Sequence, residues 1–357
     1  MKEEKIHPVK SVKDGPAEQE FNGVKQNCSS ELRQDIITGD WVVIATGRAK
    51  RPEDFSKAER IKDNSEIESC IFENPEKTGQ EEDVLIYETK EGEWTLRVFP
   101  NKYPAFTQNQ NHCALPEEGP YFAMPGIGFH EVIVTRDHYK SLAHLENLEV
   151  AEVLDAYQER YLDLMKNKKI NFIGIFHNYG KEAGASISHP HSQLMAIPVI
   201  SPYLELELFG AENYFRQNRH CVYCIMAEYE SHVKKRVVFE NENFIAFCPF
   251  ASRAAFEIWV MPKKHSPYFE RITIEEKIKA AEVLQKSLNA IFKALNDPPY
   301  NFYIHTSPCD GRDYPHFHWH IEILPHTATW AGFELETGIE ISTIQPEVAA
   351  EYLRKIL

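Results

Sequence analysis

Between Gly184 and Pro198 the chain reads GASISHPHSQLMAIP, which sets His189 and His191 one residue apart and places Gln193 two further on. Alternate side chains of an extended strand share a face, so these three are expected to line up together. The apolar Leu194, Met195, Ala196 and Ile197 then carry the strand into a core. Two imidazoles placed this way can divide the work. One can ligate a metal while the other attacks phosphorus as a nucleophile. Gln193 can donate to a phosphoryl oxygen without offering a leaving group a proton. Ser186 and the backbone around Gly184 would cradle phosphates.

Other residues with chemical potential lie on either side. Arg48-Ala49-Lys50-Arg51 puts three cations in four residues at the end of an expected hairpin over Asp35 to Ala45, a compact phosphate site or else a solvated turn. Cys221-Val222-Tyr223-Cys224 has the spacing of half a zinc site or of a redox pair, and no helix is expected to open on it, which favours zinc. Cys70-Ile71-Phe72-Glu73 sits in a polar stretch. The run His316-Phe317-His318-Trp319-His320 offers a second set of alternating imidazoles.

The elements that would position these groups repeat. Phe129 to Val134, followed by His138, is mirrored by Phe256 to Met261, followed by His265. A helix expected from about Asn147 to Lys166 has its counterpart from about Ile274 to Leu295. Asn171 to Ile175 is mirrored by Asn301 to His305, and the histidine strand by His316 to His320. Counted back from Pro325, His318 aligns with His191. Two such strand–helix–strand–strand units predict a duplicated α+β fold of mainly antiparallel sheets with helices on one side. The expected division is a loosely ordered arm over 1–30, a first unit over 31–200 and a second over 201–357.

With 357 residues, 43% hydrophobic content and 12% aromatics, the chain can bury substantial cores. A net charge of −15 argues against nucleic acid as the main partner, so phosphate binding would depend on local cations. No apolar run is long enough to span a membrane, and Met1-Lys2-Glu3-Glu4-Lys5 does not read as a signal peptide. Seven cysteines in this setting suggest a reducing cytoplasm and metal ligation rather than disulfides.

The segment Asn178-Tyr179-Gly180…Gly184-Ala185-Ser186…His189-Pro190-His191-Ser192-Gln193 resembles the galactose-1-phosphate uridylyltransferase family, the transferase branch of the histidine-triad superfamily. It looks most like the branch that holds the ADP-glucose phosphorylases. The resemblance implies that His191 is the nucleophile, with its Nδ1 held by a backbone carbonyl, and that Asn178, Gly184, Ser186 and Gln193 surround the phosphates. It implies that Arg48 and Arg51 contact those phosphates, that Phe99 and Asn101 lie near the nucleoside, and that Phe333 and Glu334 reach a sugar site, often across a homodimer. The family's tyrosine is Phe333 here, and its galactose-contacting glutamine is missing. For metals the resemblance implies zinc at Cys70, His130 and His189, with Glu73 in place of a second cysteine. A second zinc would sit at Cys221, Cys224 and His265 with His318, or His316 in its stead.

Three functions follow from these residues. The first is nucleotidyl transfer between a nucleotide sugar and a sugar phosphate or phosphate, by double displacement through His191. The resemblance puts uridylyl transfer to galactose 1-phosphate first, with ADP-glucose phosphorolysis as the alternative. The second is nucleotide hydrolysis by the His316–His320 run, in which the middle histidine attacks. The third is a zinc-stabilised scaffold without activity, against which the joint presence of Arg48, Arg51, Asn178, Gly184, Ser186, His191 and Gln193 argues.

Overall fold

The structure, a computed structural model, describes residues 30–45, 55, 65–108 and 119–357. The expected arm lies outside these residues up to position 29, and so do Arg48 and Arg51. The strands are β1 (Glu31–Gln34), β2 (Trp41–Ile44), β3 (Leu85–Glu88), β4 (Trp94–Pro100), β5 (Phe129–Thr135), β6 (Phe172–Tyr179) and β7 (His191–Ile197). They continue as β8 (Val237–Glu240), β9 (Phe244–Phe247), β10 (Ile258–Pro262), β11 (Tyr300–His305), β12 (His320–Pro325) and β13 (Ile341–Ser342). The helices are α1 (Ser65–Ser69), α2 (Pro75–Thr78), α3 (Asn147–Leu164), α4 (Pro202–Asn218), α5 (Val222–Val233), α6 (Ile274–Leu295), α7 (Gly332–Thr337) and α8 (Pro346–Ile356).

Strand alternation explains the layering. In β6 the residues Ile173, Ile175 and His177 are buried while Phe176 and Asn178 on the other side are half-buried. The buried set joins Ile133, Leu194, Phe302, Ile304, Ile321 and Ile323 in one core with α3 and α6. Helix α6 begins at a capping box, in which Thr273 Oγ1 accepts from Glu276 N at 3.2 Å and Glu276 Oε2 accepts from Thr273 N at 2.9 Å. It then lays Ala280, Ala281, Leu284, Leu288 and Ile291 along one stripe.

The duplication is realised within a single sheet. Ten strands run in the order β3-β4-β5-β7-β6-β11-β12-β10-β9-β8, a palindrome about the β6–β11 junction. Antiparallel pairing there sets Asn301 opposite Asn178 and Tyr303 opposite Phe176. Helices were expected on one side alone, and they cover both. Tyr223, Leu204 and Leu208 of α4 and α5 pack on Trp259, Phe247 and Phe317 over the front of the second half. The front of the first half keeps no such cover among the described residues, and the site lies there.

The N-terminal hairpin differs from its expected span, since β1 precedes Asp35 and the turn covers Asp35 to Asp40. Asp35 Oδ1 holds the turn by accepting from Ile37 N and Thr38 N at 2.7 and 2.8 Å. The hairpin crosses the expected unit boundary at 200/201: β13 pairs with β2 in parallel, and Arg33 bonds Glu347 at 3.0 Å. Helix α4 approaches the turn so closely that a Cβ at Gly210 would stand 1.8 Å from the Ile37 carbonyl oxygen, so glycine is required.

Behind β7 lies a buried polar chain. Ser192 Oγ is 2.9 Å from His177 Nδ1 and bonds the Tyr157 hydroxyl, and the His177 ring stacks on Phe302 with centroids 5.0 Å apart. Burial, reinforced by nearby His191, pushes His177 down from 6.5 to about 3. Unfolded chains take up this proton near pH 6.5 and the folded protein does not until about pH 3, so its stability contribution is complete above 6.5 and declines as pH falls. Each unit of that interval is worth about 1.4 kcal/mol. Thermal melts between pH 7 and 4.5 are expected to show this loss, and His177→Phe is expected to reduce the slope; identical slopes would contradict the assignment.

Candidate active site

Strand β7 begins at His191, and His189 is outside it, turned by the bend that runs through Ser186 to Pro190. The expected single face therefore holds His191 and Gln193 but not His189. His191 Nδ1 lies 2.9 Å from the His189 carbonyl oxygen, an acceptor without a proton, so Nδ1 carries the hydrogen and Nε2 carries the lone pair. Burial pushes His191 below its ordinary value, against the pull of that carbonyl, and keeps the ring neutral. Phe72 packs edge-on against the ring with centroids 5.2 Å apart. Phe99, expected along a nucleoside wall, is fully buried beneath Phe72 with Val132 and Val134, a packing position.

His130, expected as a metal ligand, points elsewhere. It pairs with Met195 on the far side of β7 from His189, about 20 Å of strand away at ~3.3 Å per residue. Its Nε2 instead lies 2.9 Å from Gln193 Oε1 and 3.2 Å from Asn101 Nδ2, which joins β4, β5 and β7 near His191. The imidazole that meets Cys70 and His189 is His138, just past the end of β5. The repeat contained this signal, because His138 is the counterpart of His265.

Among the described residues three clusters gather metal-ligating side chains, two built on cysteine and one on Glu207, His305, His320 and Glu322. In the first, ligand atoms of Cys70, His138 and His189 lie within 4.8 Å of one another. Glu73 Oε1 reaches His138 Nδ1 at 3.1 Å and His189 Nδ1 at 3.6 Å, while its other oxygen accepts from Arg136 at 2.9 Å. In the second, Cys221, Cys224, His265 and His318 converge within the same limit. His316 is outside this group and packs on Tyr314. Helix α5 does open on the cysteine pair, with Cys221 at its N-cap, so the expectation of no helix there is corrected. Backbone carbonyls aim three of the rings: His189 Nε2 faces Thr135 O at 2.8 Å, His265 Nε2 faces Pro315 O at 2.9 Å and His318 Nε2 faces Pro262 O at 2.8 Å. Each Nδ1 then presents its lone pair to the cluster. The Cys224 thiol beside it outweighs burial and holds the Cys221 thiol far below its ordinary range.

In the second half, His320 is the counterpart of His191, with Nδ1 3.0 Å from the His318 carbonyl. The alignment counted from Pro325 is thus off by two residues, and His318 corresponds to His189. Glu322 takes the place of Gln193: Glu322 pairs with Tyr303 as Gln193 pairs with Phe176. His320 Nε2 lies 3.3 Å from Glu322 Oε1 and 3.6 Å from Glu207 Oε1, and Arg253 pairs with Glu322 from the other side. Burial alone would depress His320, but Glu207 and Glu322 outweigh it and raise the imidazole to about 10. This buried charge cluster stands where the first half has the neutral Gln193. Glu207 and His305 carried no recognisable motif.

Asn178 stands on the front of β6, and a Cβ on Gly184 would lie 3.9 Å from its amide nitrogen. Gly184 has φ of 87°, the left-handed region, as the loop turns back towards His191. Ser186 is exposed on the same loop. A cleft of about 960 Å³ runs from Phe176 and Asn178 past Asn301, Arg253 and His326 to Trp330 and Glu334. Phe333 is half exposed on α7. Among the described residues, no helix is long and apolar enough to cross a membrane.

Known proteins agree with this architecture. Residues 19–200 match the family described as galactose-1-phosphate uridyl transferase, N-terminal domain, and residues 220–335 match scavenger mRNA decapping enzyme C-term binding. An ADP-glucose phosphorylase of Arabidopsis thaliana is 35% identical over 335 residues, 93% of this chain and 94% of its own. A galactose-1-phosphate uridylyltransferase of Thermotoga maritima is 30% identical over 337 residues, 91% and 98% of the two chains. The crystal structure of an ADP-glucose phosphorylase from Arabidopsis thaliana with bound ADP-glucose matches with a TM-score of 0.77 at 33% identity, covering 92% of this chain and 99% of that one. Fold and relatives together define a nucleotidyltransferase of duplicated α+β architecture. The chain belongs to the galactose-1-phosphate uridylyltransferase family.

Proposed function

We propose that this protein carries a nucleotidyl group on His191 and that its donor is ADP-glucose, with inorganic phosphate as acceptor. The observation that carries the reading is the asymmetry of the two histidine units. His191 is oriented by the His189 carbonyl with an amide, Gln193, two residues on, whereas His320 is enclosed by Glu207 and Glu322. Nε2 of His191 attacks the α-phosphorus, the P–N bond forms, and the bridging P–O bond breaks to release glucose 1-phosphate. Phosphate then attacks the same phosphorus and breaks the P–N bond, giving ADP. Both leaving group and acceptor are phosphate anions, so catalysis rests on placement and on donors to the non-bridging oxygens. Gln193, Asn178, Ser186 and the backbone at Gly184 are assigned that role, with Arg48 and Arg51 as further phosphate contacts. Asn101 and Glu334 are assigned to the nucleoside and sugar ends.

The adenine nucleotide is favoured by the 35% identity to the phosphorylase and by its ADP-glucose-bound structure. Phe333 and the missing galactose-contacting glutamine favour it too. The uridylyl reading is supported by the 30% identical Thermotoga maritima relative. Intact mass after brief exposure to ADP-glucose or UDP-glucose separates the two, and an AMP adduct on His191 is the expected result. A UMP adduct alone would move the protein to the uridylyltransferases, and His191→Ala is expected to form neither. Gln193→Glu is expected to lower turnover by on the order of 10²–10³, since it sets a negative charge beside the phosphoryl oxygens; a near-normal rate would remove Gln193 from the mechanism.

We infer zinc at both cysteine clusters. Ligand atoms on one tetrahedral zinc stand about 3.6 Å apart for sulfur and nitrogen. Cys224 Sγ is 3.4 Å from both His265 Nδ1 and His318 Nδ1, and Cys70 Sγ is 3.6 Å from His189 Nδ1. With one thiolate and a Glu73 shared with Arg136, the first site should bind less tightly. Cys221→Ser is expected to lose about one zinc per chain and to melt at lower temperature, because metal binding contributes folding energy. Glu73→Cys is expected to slow chelator extraction from the first site. Metal analysis and melting curves check both, and unchanged stoichiometry in Cys221→Ser would refute the second site.

A further inference from the structure

Two polar contacts cross from the second half to the first, and a third backs them from within the second half. Asn301, on β11, donates from Nδ2 to Asn178 Oδ1 at 2.7 Å and to the Ala183 carbonyl oxygen at 2.9 Å. Its Oδ1 lies 2.5 Å from His326 Nε2. The β6–β11 register places Asn301 directly opposite Asn178, and Ala183 belongs to the short turn that precedes Gly184.

The orientation of every group in this chain is determined by one atom. A backbone carbonyl oxygen can only accept, so the atom of Asn301 that faces Ala183 must be the amide nitrogen. The Asn301 oxygen then faces His326, whose Nε2 must carry the proton. The second hydrogen of the Asn301 amide is directed at Asn178, so the atom of Asn178 that meets it must be the oxygen. Asn178 is left with its NH₂ turned towards the glycine loop, where a Cβ on Gly184 would stand 3.9 Å from Asn178 Nδ2. Without this chain, the two ends of the Asn178 amide are nearly equal in shape. The wrong end would present an oxygen to an anionic phosphate.

We propose that Asn301, backed by His326, is a positioning residue that fixes the Asn178 amide with its N–H groups towards the substrate phosphates. The inference rests on the assignment of Asn178 to phosphate binding made above. It also gives the second half a part in the chemistry of the first: β11 sets the polarity of a donor whose own strand is β6.

A double-mutant cycle tests it, with inorganic pyrophosphate as the binding probe and ADP-glucose turnover as the kinetic one. Asn178→Ala and Asn301→Ala are each expected to weaken pyrophosphate binding roughly tenfold to a hundredfold, the range for a hydrogen bond to a charged group. The double variant is expected to bind no more weakly than Asn178→Ala, because Asn301 acts through Asn178. Asn301→Asp, which turns a carboxylate oxygen on Ala183 and Asn178, is expected to be more damaging than Asn301→Ala. His326→Gln keeps an N–H donor and should retain binding that His326→Phe loses. Additive effects in the cycle, or unaltered binding by Asn301→Ala in a protein that melts like the parent, would overturn the proposal. Additivity in a protein that still forms the nucleotidyl adduct would leave the transfer reading intact. A coupled cycle in a protein that forms no adduct would support the positioning role while removing the transfer reading.

Discussion

An imidazole placed against a backbone carbonyl has no choice of tautomer, and this constraint recurs through the molecule. The His189, Thr135, Pro262, Pro315 and His318 carbonyls each face one ring nitrogen of a different histidine. Rings two residues apart in the chain are thereby given opposite duties. His189 bonds through Nε2 and offers Nδ1 to the cysteine cluster, while His191 bonds through Nδ1 and keeps its lone pair on Nε2. A one-residue shift of β7 in its sheet would exchange these faces, so strand register is itself part of the chemistry. The buried bonds of Ser192 to His177 and Tyr157 resist such a shift from behind.

The duplication gives two equivalent histidines different surroundings. His191 and His320 share a carbonyl-bound Nδ1 and equivalent strand positions. What differs is the residue two positions on and the cover in front. Gln193 is neutral; Glu322 is charged, and α4 brings Glu207 against the same ring. Removing two carboxylates from water would be very costly if they were unpaired. Here His320 and Arg253 supply the opposing charge, and His305 Nδ1 lies 2.9 Å from Glu207 Oε2. The second half has thus converted a site into a stabilised core, and its cysteine pair reinforces the same end of the sheet.

Much of this was legible in the chain. The bounds of α6 follow from its period and cap, and the His-x-His-x-Gln strand and the repeat were plain. His138 was missed because the family resemblance was carried over to His130, although the repeat pairs His138 with His265. Helix α4 was not read at all: Leu204-Glu205-Leu206-Glu207-Leu208 alternates with the period of a strand, and its helical state is decided by packing on Phe247 and Trp259. Strand β13, two residues long, has no local signature, and its pairing with β2 depends on contacts almost three hundred residues apart in the chain. The Asn301–Asn178 contact was equally hidden, because the halves were expected as separate units and not as one sheet.

That continuity has a functional argument behind it. A five-stranded half would end at β6 with an exposed edge, and its phosphate-facing Asn178 would sit on that edge with a freely turning amide. Pairing β6 with β11 covers the edge, extends the core through Phe302 and Ile304, and fixes the amide through Asn301. The second half therefore does more for the first than add stability. Its own histidine site could be filled with charge without loss, provided that β11 kept its register against β6.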